Sequence, residues 1–225
     1  VTADQPALRI AFAPGVTTAK WTRSWTERHP EISIEVFPVA QPDGVAVLHE
    51  RRADVSFVRL PVERDGLNVI PLYREVAVLV VPRDSEHAAS PVLTEAQVTG
   101  LGNVAEFSPE GSVKDAVALV AAGVGALRLP HSIARLHARK DVVAVPIEDA
   151  AETEIALTWL QDERSDLIDE FVGIVRGRTA ASSRAVPTPP TAKVRPTREP
   201  RKPTKRSAPG GGRSGRGRPA GKRGR

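Results

Sequence analysis

Between residues 8 and 178, strand-like segments with a period of two take turns with helix-like segments with a period of 3.6, which predicts an α/β domain. Residues 8–13 read as a strand ended by Pro14-Gly15. Thr17 and Thr18 then stand where helix N-caps are expected, and the helix after them carries Trp21 and Trp25 four positions apart and ends near His29-Pro30. Residues 32–39 set Ile32, Ile34 and Val36 against Ser33, Glu35 and Phe37, the pattern of a half-buried strand. A short helix over 43–52, with Val45, Val47 and Leu48 inward, leads to a strand over 54–60. This order makes two βαβ units. Parallel sheets of this kind bind ligands where loops leave the C-terminal strand ends, here 13–18 and 59–62.

Two more strands follow over 67–72 and 75–82, separated by Tyr73-Arg74. Residues 93–98 read as a short helix, and 112–122 as a longer one with Val113, Val117, Val120 and Ala121 inward and Gly123 as its C-terminal cap. A strand over 125–129, a helix over 132–139, strands over 142–147 and 154–160, and a closing helix over 165–175 complete the pattern. The closing helix places Leu167, Ile168, Phe171, Val172 and Val175 on one side.

After Arg178 the composition changes. The last 47 residues include 8 Pro and 7 Gly and no aromatic residue, too little apolar surface to offset chain entropy, so 179–225 is expected to be a disordered tail on a 1–178 domain. Charge divides at the same place. The tail holds 14 Lys and Arg against the single acid Glu199, so the net +5 is the sum of +13 in the tail and −8 in the body. The basic isoelectric point therefore belongs to the tail, and the body is acidic.

The absence of Cys excludes a disulfide scaffold, a thiolate nucleophile and a thiolate metal site. The first residues have neither a basic start nor an apolar run, and the longest apolar stretch, 76–82, is strand-sized, so a soluble cytoplasmic protein without a membrane partner is expected. An opening Val in a chain without Met fits translation from a GTG start, as in bacteria. His29, His49, His87, His131 and His137 form no metal-ligand spacing, and the last two, six apart on an expected helix, would not face one another. With neither a G-x-S-x-G elbow nor a Walker-type Gly-Lys-Ser/Thr, no catalytic residue and no cofactor is expected. Trp21 and Trp25 read as packing residues of an amphipathic helix rather than a base-stacking platform. Asp162, Glu163, Asp166, Asp169 and Glu170 read as a solvated face, or as a dock for the chain's own basic tail.

Several phrases, in order, resemble the effector-binding domain of LysR-type transcriptional regulators. They are Leu8-Arg9-Ile10-Ala11, Arg28-His29-Pro30-Glu31-Ile32, and Ala53-Asp54-Val55-Ser56-Phe57-Val58 followed by Pro61. Further along come Gly66-Leu67 with Pro71-Leu72-Tyr73-Arg74-Glu75, Val80-Val81-Pro82 before His87-Ala88, and the run from Leu119 to Gly125 leading into Leu129-Pro130-His131-Ser132. The resemblance implies a type 2 periplasmic-binding-protein-like fold with two subdomains flanking a cleft for a small effector. Carried over by position, Thr17 and Thr18 would offer hydroxyls and helix-N-terminal amides to an anionic effector. Arg59 would face the same cleft or form a structural ion pair, and His131 and Ser132 would line the opposite wall. The resemblance also implies a homodimer, or pairing with another LysR-type regulator. Two departures are expected: no counterpart of the family's N-terminal winged helix-turn-helix, and a second subdomain abbreviated around 100–111.

The tail carries Gly215-Arg216-Gly217-Arg218-Pro219, with Arg213 upstream and Lys222, Arg223 and Arg225 downstream, and its core resembles the AT-hook. Gly217 lets an extended backbone approach the floor of a narrow A·T-rich minor groove while Arg216 and Arg218 run along it, and Pro219 directs the chain out. With about 6 phosphates neutralised, log K should fall with log salt at a slope of roughly −5. DNA is the expected partner, with nucleoid association as a corollary; such tails also bind RNA or act only as solubilisers.

Overall fold

A computed structural model describes residues 7–163 and 165–178. Strand β1 (Ala7–Phe12) lies between two parallel neighbours, β2 (Ser33–Pro38) and β3 (Val55–Arg59), and α1 (Ala19–Arg28) bridges β1 to β2. Beyond β3 the sheet turns antiparallel: β10 (Thr153–Leu160) pairs with β3 on one side and with β4 (Leu67–Glu75) on the other. The first sheet thus has the order β2-β1-β3-β10-β4. All five residues of β3 are buried, because this central strand has a layer on each face. Successive side chains of β1 point to opposite faces. Leu8 and Ile10 join Trp25, Phe57 and Phe171 under α1 and α6 (Asp166–Val175), whereas Ala11 joins Val47, Leu48 and Leu160 on the other side.

The second sheet is built from β5 (Ala77–Pro82), β6 (Leu93–Thr94), β7 (Val104–Glu106), β8 (Ala126–Pro130) and β9 (Val142–Glu148), in the order β6-β9-β5-β8-β7. Around it lie α3 (Glu95–Gly100), α4 (Val113–Ala121) and α5 (His131–Leu136). One face packs Val78, Val80 and Leu129 against Val117, Val120 and Ile133 of α4 and α5, and the other packs Leu79, Val81 and Val145 against Leu93 and Val98. Two lobes result. The chain passes between them at Val76 and again over 149–152.

Several boundaries differ from the sequence reading, each for a local reason. The helix expected over 43–52 is a 3-10 turn, Gln41–Gly44, followed by a single α-turn, α2 (Ala46–His49), because Pro42 and Gly44 interrupt its start and Arg51 takes a left-handed φ of 58° at its end. Residues 93–98 split: Thr94 ends β6 and caps α3 in a reciprocal capping box with Gln97. Strand β7 has no counterpart in the sequence reading, since three residues are too few to show a period. The helix expected over 132–139 begins at His131 and stops at Leu136. On β2, Val36 is 36% exposed while Phe37 packs inward, so the expected inward triad holds only for Ile32 and Ile34; an edge strand with cover on both faces has no single apolar side. Gly123 does end α4, with φ +81° and bonds from Gly123 N–H to Val120 O and from Val124 N–H to Leu119 O.

Both tryptophans are core residues. Trp21 stacks on Phe57 with centroids 5.0 Å apart, and Trp25, fully buried, meets Phe171 edge-on at 5.9 Å. Three acids of the run pair within the body: Asp162 and Glu163 with Arg51, and Glu170, which lies 3.5 Å from His29 and 3.9 Å from Arg28, while Asp166 and Asp169 are exposed.

Candidate functional site

The loop after β1 and the turn between β8 and α5 meet where the lobes face each other. Gly15 has φ +82°, and a Cβ there would sit 2.7 Å from the Ser132 hydroxyl and 3.0 Å from its backbone carbonyl carbon. Only glycine gives both this backbone conformation and this close approach. Arg59, the last residue of β3, fills the space beneath the contact and is 2% exposed. Its Nε donates to Glu75 at 3.0 Å, its Nη1 to the Gln41 side-chain oxygen at 2.7 Å, and its Nη2 to Pro14 O at 3.2 Å and to Ser132 Oγ at 3.1 Å. All three guanidinium nitrogens are engaged by the protein. Glu75, itself 7% exposed, supplies the compensating charge at 2.9 Å. Arg59 is thus the centre of an internal ion pair that joins the loop after β1, the turn at Gln41 and the end of β4 in the first lobe to the second.

Beside this buried hub a cleft of about 610 Å³ remains open to solvent. Phe12, Val16, Pro38 and Leu136 form its apolar walls, and Thr17, Ser132 and Arg135 its polar groups. No acidic side chain lines it. The Arg135 guanidinium has no hydrogen-bond or salt-bridge partner among the described residues, so the open cleft carries one free positive charge. That charge also reaches Tyr73: burial and Glu75 push its phenol pKa up, while Arg59 and Arg135 pull it down.

Of the residues singled out from sequence, Thr17 and Ser132 face this cleft and Arg59 touches it through Ser132. Thr18 occupies the N-cap position of α1, where its carbonyl accepts the first helical hydrogen bonds from Trp21 and Thr22 N–H at 2.9 and 3.1 Å, but its side chain makes no capping bond and does not line the cleft. His131 donates its backbone N–H to Val76 O and lines a different hollow, of about 150 Å³, on the second lobe. His137, just beyond the end of α5 at Leu136, lines that hollow too. Among the described residues no group of three or more His, Asp or Glu could hold a metal ion. Arg213, Arg216, Gly217, Arg218, Pro219, Lys222, Arg223 and Arg225 lie outside the described residues.

Gln41, Glu75 and Arg135 escaped the sequence reading. Glu75 had a usable signal, a lone acid in an apolar stretch between two strands, which in a buried strand requires a cationic partner. Arg135 had none, because its exposure to the cleft depends on how the lobes meet.

Among the described residues no helix is long and apolar enough to cross a membrane. No curated protein matches the chain in sequence. Residues 3–104 match the family described as LysR substrate binding domain. Among solved structures, the BenM effector binding domain with its effector benzoate is similar with a TM-score of 0.63 at 19% identity, covering 80% of this chain and 95% of that one. Full-length CbnR complexed with its target DNA gives 0.63 at 16% identity over 76% of this chain and 70% of that one. The reduced OxyR regulatory domain from Pseudomonas aeruginosa gives 0.59 at 14% identity over 76% and 95%. The described residues thus have the fold of LysR-type effector-binding domains, and the sequence similarity to the family described as LysR substrate binding domain extends over residues 3–104.

Proposed function

We propose that this chain is a DNA-associated regulatory protein whose body binds a small anionic effector in the interlobe cleft and whose basic tail contacts DNA. The observation that carries the reading is the cleft itself: about 610 Å³, apolar walls, two hydroxyls, one unpaired arginine and no lining acid. A volume of this order suits a small organic molecule, and the charge selects an anion. Arg59 sets the position of Ser132 from beneath and is not the anion receptor, since its charge is already met by Glu75. Arg135 takes that role, with Thr17 and Ser132 hydroxyls beside it. The chemistry is binding, not catalysis.

Benzoate, the effector named for the BenM domain, serves as a first probe. Titrated into the full chain, it is expected to shift the amide resonances of Thr17, Ser132 and Arg135, and R135Q should weaken the effect by about tenfold or more, the worth of a charge-assisted hydrogen bond. Equal response to benzamide rejects an anion-selective cleft.

Support for the tail comes from sequence alone: the +13 charge and the Arg216-Gly217-Arg218-Pro219 core. Side-by-side pairing of two bodies would place two tails on one duplex and raise avidity without new contacts. In fluorescence-anisotropy titrations at two salt concentrations, the full chain should bind an A·T-rich duplex more tightly than a G·C-rich one. R216A/R218A should remove the preference and reduce the salt slope by about 2. Binding that is absent even at low salt rejects a DNA role and leaves a ligand-binding or protein-interaction module.

A further inference from the structure

On the second lobe, β7 stops at Glu106, opposite Arg128 in the parallel ladder, while β8 runs on to Pro130. Among the described residues no strand flanks Leu129 and Pro130 on that side. The uncovered corner is a pocket of about 250 Å³, walled by Phe107, Leu129 and Pro130, and bounded by Ala77, which follows the crossing at Val76, and by Ala151 and Thr153 on and just after the crossing over 149–152. It lies apart from the interlobe cleft and shares no lining residue with it.

Its wall holds one acid and one cation, Glu106 and Arg128, and Arg128 is shared with a second acid, Glu95, outside the pocket. Arg128 is the one cation on the pocket wall, its side chain only 22% exposed, and its Nη2 donates to Glu95 while its Nε lies 3.4 Å from Glu106. Two carboxylates thus share one guanidinium, and the trio sums to −1. Glu95 holds the short bond, so the uncompensated charge falls on Glu106, a lining residue of the pocket whose side chain is 67% exposed. An anion entering here would meet that carboxylate; a cation would complete its pairing.

We propose that this corner is a second ligand site, for a small organic monocation: an ammonium group paired with Glu106 and an apolar body against Phe107 and Pro130. A ligand there lies against Ala151 on one crossing segment and against Ala77 next to the other. The site is therefore placed to report on, or bias, the relative orientation of the lobes.

The test uses 2-phenylethylammonium as probe and amide-resolved NMR of the full chain. Saturable shifts are expected at Glu106, Phe107, Arg128 and Thr153. E106Q should weaken binding about tenfold or more, and A151W, which places a large side chain at an exposed position on the pocket rim, should abolish it. R135Q, in the cleft, should leave it unchanged. Equal binding by 3-phenylpropionate, shifts confined to the neighbourhood of Thr17 and Arg135, full affinity in E106Q, or no saturable shift with millimolar probe each overturn the proposal. E106Q changes an exposed side chain, so an otherwise unaltered spectrum separates lost binding from lost folding.

Discussion

Arg59→Met is expected to lower the unfolding free energy by about 3–5 kcal/mol, the cost of leaving one member of a buried ion pair without its partner. The substitution strands Glu75, which is 7% exposed and has Arg59 at 2.9 Å as its salt-bridge partner. It also leaves the Gln41 side chain, Pro14 O and Ser132 Oγ without their shared donor. Urea unfolding followed by tryptophan fluorescence reads the loss. The double variant Arg59→Met/Glu75→Leu should recover much of it, because a buried pair replaced by apolar groups of similar volume is often neutral or better. A single-variant loss below about 1 kcal/mol would mean that Glu75 finds water when Arg59 is gone, and that the hub is less closed than its geometry indicates. The consequence extends beyond stability. With Ser132 released, the lobes keep the Gly15 contact but lose its anchor, and benzoate affinity at the cleft should fall although Arg59 donates nothing to the ligand.

Trp25→Ala is expected to cost about 3–5 kcal/mol, as large-to-small changes of buried aromatics do. Trp25 is fully buried, meets Phe171 edge-on at 5.9 Å and donates its indole N–H to Ile32 O at 3.3 Å. Its removal opens a cavity between α1, α6 and the first sheet. Under conditions where the variant is still folded, DNA affinity should equal that of the parent chain. A selective loss of DNA binding with stability intact would overturn the assignment of this residue to the core and revive a base-stacking role.

The packing fate of Trp25 was legible in the sequence because spacing along a helix is a local property: four residues separate Trp21 from Trp25, and both must share a face. The strands were legible for the same reason, since β3 and β5 are short apolar runs bounded by turns. What escaped were features that local pattern does not contain. Strand β7 is too short to carry a period and exists because β8 offers it an edge. The roles of Gln41, Glu75 and Arg135 depend on loops that meet only after both lobes form. Thr18 shows a subtler limit: its position as N-cap was readable, but its hydroxyl does not cap, and residue type alone does not distinguish the two. Arg59 was placed at the cleft with two readings open, and the geometry shows an ion pair whose donors are all engaged.

The order of strands in the first sheet also bears on how the chain can be assembled during synthesis. Strand β4 has β10 as its neighbour in the sheet, and β10 separates it from β3. Everything from Ala77 to Glu148 forms the other lobe. As the polypeptide leaves the ribosome, β1, β2 and β3 can meet early, but β4 must wait, its inner edge unpaired, until the whole inserted lobe has emerged and β10 follows. The second lobe, one continuous stretch, has no such delay. Of the two lobes, the one begun first is therefore finished last, and a nascent first lobe carries an open, apolar strand edge for as long as the ribosome needs to translate the second.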